Sequence, residues 1–361
     1  MMRTREIETL LLSGDDVRCL VRRTGLDETM DVLIGRLRRA FMDYDTDAVT
    51  VPVRDGFSYR RPETGLIEWM PCYSVGSDVA IKVVGYHPSN PSGLGLPTVL
   101  STISLYDTAS GHLMCVMDAT ILTALRTGAA SAIATDLMSP PGSIVLGIVG
   151  AGTQAVAQVH AISRIRDLDR ILVHDIDSAA AESFARRVAR YLKRPNVRVA
   201  DPDTISSESD VLCTATSVEP GQGPVIRDGD VNSRLHINAV GSDFPGKIEL
   251  PVTLLRRSVV IPDFLAQAVK EGECQQLRAN EIAPELHVLM QHPKLQADLD
   301  NRLTVFDSTG WALEDSVAMH VMVELARDLN IGSMIPMESV SEDPLDPYRD
   351  VASVEFFNRT A

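Results

Sequence analysis

The 361-residue chain is short of several things, and each shortage removes a class of protein. Its five cysteines, Cys19, Cys72, Cys115, Cys213 and Cys274, are scattered, with no C-x-x-C and no histidine at ligand spacing. That pattern speaks against a disulfide framework or a zinc site and reads as reduced thiols in a cytoplasmic protein, with no metal expected. Basic residues are outnumbered, 34 Lys and Arg against 49 Asp and Glu, for a net charge of −15. Nucleic acids and anionic membrane surfaces call for a basic face, so neither is an expected partner. A negative envelope favours cationic small molecules at long range. No apolar run approaches the roughly 18–20 residues of a membrane span. The opening residues, MMRTREIETLLLSGDDV, carry charges where a signal peptide needs an apolar core. Neither H-E-x-x-H nor G-x-S-x-G occurs, the eight histidines form no cluster, and there are no internal repeats.

What remains is a chain with 45% hydrophobic residues and a mean hydropathy of +0.03, the balance of a globular protein long enough for two domains and a large core. Its most informative stretch, 144–175, reads IVLGIVGAGTQAVAQVHAISRIRDLDRILVHD. A β-branched run at 144–149 ends in Gly150-Ala151-Gly152-Thr153-Gln154-Ala155. An apolar-periodic helix follows, then a second strand at 171–174 closed by Asp175. Strand, glycine turn, helix, strand, acid is the order of a dinucleotide-binding fingerprint. Gly150 permits the tight turn, Gly152 lets the backbone approach a pyrophosphate, and Ala155 keeps the helix close to its strand. The first N–H groups of the helix face the phosphate. Asp175 lies 25 residues after Gly150, near the roughly 20 expected for the acid that binds the ribose 2′-OH. A carboxylate there repels a 2′-phosphate, so the expected cofactor is NAD rather than NADP.

The segments around this motif divide the chain. Residues 1–140 read as one unit: an amphipathic helix at 27–42, then strand-like runs at 67–71, 79–84, 98–106 and 113–117, with a hairpin-like turn at 106–111. Asp118 is placed to cap a long helix to about residue 138, and Ser139-Pro140-Pro141-Gly142 marks a joint. From 141 to 308 strands and helices alternate, with further strands expected at 197–199, 211–214, 235–240, 259–262 and 303–306. The expected fold class is α/β: a Rossmann-type doubly wound parallel-sheet domain, plus a mostly antiparallel α+β domain for substrate and dimerisation. A helix at 309–329 and the tail to 361 complete that first domain, with residues 344–348 lying on the helix.

Outside the fingerprint, four polar residues stand in apolar surroundings: Glu68 in LIEWMP, Lys82 in VAIKVV, Arg126 in a helix of small residues, and Asp243 after the strand ending at Val240. Strands alternate faces, so Glu68 and Lys82 also fit a solvent-facing reading; Arg126 also fits an ion-paired helix, and Asp243 a simple turn. Asp243 nonetheless follows the carboxyl end of a parallel strand, where open α/β sheets put ligands. His87 reads as a loop residue. The run Glu271-Gly272-Glu273-Cys274 reads as a solvated helix start, with no base to activate Cys274.

Together these segments resemble the ornithine cyclodeaminase and mu-crystallin family. The matching motifs are IEWMP (67–71), KVVGYHPSNP (82–91), LPTVLSTISLYDTASG (96–111), LTALRTGAASA (122–132), GIVGAGTQA (147–155), HINAVGSDFPGKIELP (236–251), EGECQQL (271–277) and VFDSTG (305–310). The resemblance implies that Lys82 and Arg126, joined by Arg54, hold the α-carboxylate of a basic L-amino acid. It implies that Glu68 lies near the distal amine, with Met70 beside it, and that Asp243 is the acid/base group. Gly150, Gly152, Thr153, Gln154 and Asp175 would bind NAD. Thr98, Asn238, Val240, Lys247, Ser308 and Thr309 would line its nicotinamide end, with Arg126 at the junction. The implied reaction is cyclodeamination: oxidation at Cα, attack by the terminal amine, loss of ammonia and reduction of the cyclic imine, with no net redox change. The product is L-pipecolate from L-lysine or L-proline from L-ornithine, made by a homodimer. Segments 216–224 and 346–348 look like lysine enzymes, while the turn 243–247 looks closer to the ornithine type, and the reading leans to lysine. Two relatives of other kinds compete: a dehydrogenase or ketimine reductase that performs a single redox step, and a non-catalytic binder of NADPH and a hydrophobic hormone.

Overall fold

The computed structural model describes residues 7–142, 145–296, 299, 302–341 and 343–349. The first sheet begins with β1 (Thr9–Leu12) and continues through β2 (Val49–Thr50), β3 (Asp55–Tyr59), β4 (Gly65–Ser74), β5 (Asp78–Tyr86), β6 (Val99–Asp107) and β7 (Leu113–Asp118). From β4 to β7 the strands run antiparallel in chain order, and the expected hairpin turn joins β6 to β7. β1 lies parallel to β7, the one departure from the antiparallel pattern among these pairs.

Alternation along β4 and β5 decides where the polar residues go. Leu66, Glu68, Met70 and Cys72 share one face with Ala80, Lys82 and Val84, and the register sets Glu68 opposite Val84 and Met70 opposite Lys82. That face is covered by the core. The other face carries Ile67, Val83 and Leu100, with Phe57 of β3 at 69% exposure. Apolar residues thus stand on both faces, and the solvent-facing reading of Glu68 and Lys82 fails because the face that carries them is the one the core covers. Lys82 is 1% exposed.

The second sheet holds β8 (Val145–Val149), β9 (Arg170–His174), β10 (Val197–Val199), β11 (Val211–Thr214), β12 (His236–Ala239), β13 (Val259–Pro262) and β14 (Thr304–Asp307). All its pairings are parallel, in the order β10-β9-β8-β11-β12-β14-β13. The order reverses between β8 and β11, which opens a crevice at their carboxyl ends. β15 (Ser333–Ile335) then returns to the first sheet beside β1.

Two helices join the sheets. The expected helix after Asp118 spans Thr120–Met138 with Ala119 as its N-cap; Asp118 ends β7 and only accepts from the Thr120 N–H at 3.4 Å. This helix is buried nearly all round. Its Gly128 meets the fingerprint helix Thr153–Ser163, where an added Cβ would lie 2.7 Å from the Ala157 carbonyl oxygen. The second helix, Ala312–Leu329, starts later than expected. Trp311, stacked between Phe41 and Phe264, pins that start between the two halves of the molecule. The tail does not lie on this helix as expected: Leu345 and Tyr348 face solvent. Ile144, the expected start of the first parallel strand, and residues 350–361 lie outside the described residues. Among the described residues no helix is long and apolar enough to cross a membrane. All five cysteines are unpaired thiols.

Candidate active site

At the crevice, Gly150 sits at φ +94°, and a Cβ there would lie 2.6 Å from the Ala215 carbonyl oxygen, so both backbone angle and space demand glycine. A Cβ at Gly152 would meet nothing within 4 Å, which leaves the backbone open beside the first turn of the Thr153–Ser163 helix. Asp175 accepts from the Ala151 N–H at 2.6 Å and from the Asp177 N–H at 2.9 Å, which fixes its carboxylate at the rim of the glycine turn. The Gln154 side-chain oxygen is buried without a hydrogen-bond partner. An open glycine turn, a helix N-terminus, a fixed acid and an orphaned acceptor suit a dinucleotide without a 2′-phosphate.

From Gln154 a cavity runs between the two sheets. It is lined by Arg54, Glu68, Met70, Lys82, Arg126, Val240, Asp243, Ser308 and Thr309, with Leu66, Val84 and Phe244 among its apolar walls. Its lining includes a cationic pair. The Lys82 Nζ is 2.7 Å from Asp315 Oδ2, and Arg126 donates from Nε to Asp315 at 2.9 Å and from Nη1 to Glu314 at 2.8 Å. Burial, reinforced by the neighbouring Arg126 charge and opposed by Asp315, pulls the Lys82 amine down to about 8. The two acids come from the first turn of Ala312–Leu329, where a helix N-terminus favours carboxylates.

Acids line it as well, around Arg54. Arg54 lies in the loop before β3 with its side chain 8% exposed. Its Nη1 donates to the Thr309 carbonyl at 3.1 Å and its Nη2 to the Asp243 carbonyl at 2.6 Å. Its Nε lies 2.7 Å from Glu271 and 3.4 Å from Glu68. Burial pushes the Glu68 carboxyl above its usual range and that of Glu271 up to about 7, against the pull of Arg54. Asp243, its side chain 37% exposed, pairs through Oδ1 with Lys247 Nζ at 2.8 Å. Lys247 is buried and lies over the Tyr86 ring.

Buried acids hold the loops that carry these groups. Glu249 accepts from Thr214 and Thr216 and from the Gly241 N–H, just before Asp243. Asp307 accepts from the N–H groups of Glu273 and Cys274. Asp263 accepts from Thr309 and the Gly310 N–H, and Gln267 also donates to Thr309. The run beginning at Glu271 is thus no solvated helix start. Glu271, Glu273 and Cys274 are all buried, because Asp307, Arg54 and the Glu249 backbone supply its polar partners.

Ten of the expected side chains converge on the cavity, and Lys247 joins through Asp243. Gly150, Gly152, Thr153 and Asp175 lie at the glycine turn outside this lining, and two residues expected at the nicotinamide end do not reach it. The Asn238 amide is used internally, donating to Thr135 at 2.9 Å and accepting from His236. Thr98 lies beside the lining residue Val99, its carbonyl bonded to the His87 N–H. His87 itself bonds Tyr59 and is no part of the cavity. Asp315, Glu314, Glu271, Asp263 and Gln267 were not singled out for the site from sequence. Their signal is a partner far along the chain, which spacing does not reveal.

A parallel sheet with a glycine turn, opening onto a cavity lined by both cations and acids, defines a dinucleotide-binding protein with a site for a small charged molecule. The model of the ornithine cyclodeaminase/mu-crystallin family matches residues 16–330, and the chain belongs to that family. It is 42% identical over 345 residues to the L-lysine cyclodeaminase of Streptomyces rapamycinicus, covering 95% of this chain and 99% of that one. Among solved structures it is similar to a lysine cyclodeaminase studied for recognition of L-lysine, L-ornithine and L-2,4-diaminobutyric acid (TM-score 0.92, 45% identity, 95% and 99% of the two chains). It is also similar to a dimeric archaeal alanine dehydrogenase with bound NAD (TM-score 0.80, 31% identity, 92% and 100%).

Proposed function

We propose that the protein is an NAD-dependent cyclodeaminase that converts L-lysine to L-pipecolate, and L-ornithine to L-proline, with release of ammonia. The observation that carries this is one cavity lined by both a cation pair suited to a carboxylate, Lys82 and Arg126, and two acids suited to a second amine, Glu68 and Asp243. The methyl side chain of alanine offers nothing to Glu68 and Asp243, which weighs against alanine as the substrate.

Lys82 and Arg126 bind the substrate α-carboxylate, while Arg54, expected to join them, is taken up by the Thr309 and Asp243 carbonyls and by Glu271; Asp315 and Glu314 keep Lys82 and Arg126 in place when no substrate is present. Gly150, Gly152, Thr153, Gln154 and Asp175 would hold NAD, which would supply a reversible two-electron acceptor. Glu68 orients the distal amine. Asp243, held through Oδ1 by Lys247, takes the proton of that amine on Oδ2 and frees its lone pair. Tethering of the two ends favours five- and six-membered closure. Leu66, Met70, Val84 and Phe244 exclude water that would hydrolyse the cyclic imine. Asp243 then returns its proton as ammonia departs.

The exposed apolar face with Phe57, Ile67, Val83 and Leu100 supports a homodimer joined through the first sheet. The free thiols fit a cytoplasmic protein. The two sheets support a division at about residues 140 and 308. Incubation with substoichiometric NAD and either L-lysine or L-ornithine tests the function. Pipecolate or proline beyond the NAD supplied, with equal ammonia, is expected; NADH accumulating with a keto or imino acid points to the dehydrogenase instead.

A further inference from the structure

Glu271 is a buried acid that the reaction above does not use. It stands behind Arg54, its Oε1 2.7 Å from the Arg54 Nε but out of hydrogen-bond alignment and with no other hydrogen-bond partner. Glu68 approaches the same Nε at 3.4 Å. Arg54 is committed elsewhere, since Nη1 and Nη2 are held by the carbonyls of Thr309 and Asp243. Asp243 has its own cation in Lys247. Two carboxylates thus share one guanidinium, and burial has raised both above their usual range, Glu271 to about 7, so a cation arriving beside them draws Glu271 into its charged form.

An uncompensated carboxylate in buried surroundings is costly, and a ligand that brings a positive charge relieves it. An amino acid ending in an ammonium does so, whereas one ending in a methyl group leaves the acids without that cation and excludes water from them. We propose that Glu271 is a specificity-determining residue, whose charge beside Arg54 and Glu68 makes the site select amino acids with a second, distal ammonium. This rests on the basic-amino-acid reading above and names the residue that sets the selection. Glu271 is not among the residues lining the cavity, so it acts through Arg54 and through its field.

The test compares L-lysine with L-norleucine, which lacks only the terminal amine, by calorimetry on the NADH-loaded protein, where neither ligand turns over. Wild type is expected to prefer lysine by on the order of tenfold or more, as for a charged buried hydrogen bond. Glu271→Gln should reduce that preference several-fold by weakening lysine alone, and Glu271→Asp should restore part of it. A residue that merely braces Arg54 would weaken both ligands equally, and that result overturns the proposal. Equal binding of the two ligands to wild type overturns it without any variant, should Glu271→Gln fail to fold. Pipecolate formation is assayed on the same preparation. A lysine preference that depends on Glu271, without product, removes the cyclodeaminase reading and leaves this one. Product without preference does the reverse.

Discussion

The Lys82 ammonium and the Asp315 carboxylate meet at 2.7 Å, with side chains 2% and 4% exposed, and the same carboxylate accepts from Arg126. One acid from the last long helix therefore serves both cations proposed to bind the substrate. Removing one partner of a buried pair leaves the other uncompensated, so Asp315→Asn should lower stability by about 3 kcal/mol. It should also raise the KM for the amino acid while leaving NAD affinity near wild type. Thermal unfolding and steady-state kinetics measure the two effects.

The titration of Lys82 gives this pair a pH signature. Burial and Arg126 bring its amine from 10.5 to about 8. Carboxylate binding needs the ammonium, so kcat/KM should fall as pH rises through about 8. Stability moves the other way. The unfolded lysine holds its proton up to about 10.5, so the buried charge is a penalty below pH 8 that fades between 8 and 10.5. Asp315 supports the charged form, so Asp315→Asn should shift the alkaline limb of kcat/KM to lower pH, and a limb that stays in place speaks against the pairing.

Asp243 is the proposed acid/base group. Asp243→Asn keeps the shape and removes the proton acceptor, and the loss in kcat should be about 10²–10⁴-fold. NAD binding, read by fluorescence titration, should barely change. Turnover at the original rate would assign the role elsewhere.

Asp175 is bonded to the glycine turn and is proposed to meet the ribose. Asp175→Asn removes the charge but keeps an acceptor. NAD should bind on the order of tenfold more weakly, in the range of one charged hydrogen bond. The disadvantage of NADP should narrow, as a titration with each nucleotide would record.

Val83 lies on the exposed apolar face of the first sheet. Val83→Arg puts a charge on the proposed dimer surface. Light scattering should find a dimer for wild type and a monomer for the variant, and a dimer in both would move the interface to another surface.

Much of the fold was legible in the chain because its signals are local. The order of strand, Gly150, Gly152, helix and Asp175 needs only 32 consecutive residues, 144–175, and most strand limits fall within a residue or two of expectation. The first sheet was harder. With apolar residues on both parities of β4 and β5, alternation alone did not say which face Glu68 and Lys82 share, and only the covering helices decide it. The motifs brought Glu68, Lys82, Arg126 and Asp243 into view, with Arg54 added by the resemblance outside any motif, but not the acids that hold them. Asp315 carries no signal of its own within the helix expected at 309–329, and Glu271 reads as part of a solvated helix start, until a fold that brings distant segments together buries each against an arginine. Asn238 shows the opposite case: a polar residue at a strand's carboxyl end whose side chain is used internally by Thr135 and His236.

The central claim is that one active site oxidises and then reduces the same carbon. L-Lysine deuterated at Cα, supplied with substoichiometric unlabelled NAD, tests it most directly. The account predicts pipecolate in excess of NAD that retains the deuterium at C2, with one ammonia per product. Product that has lost the label, or reduced cofactor rising in step with product, would contradict it.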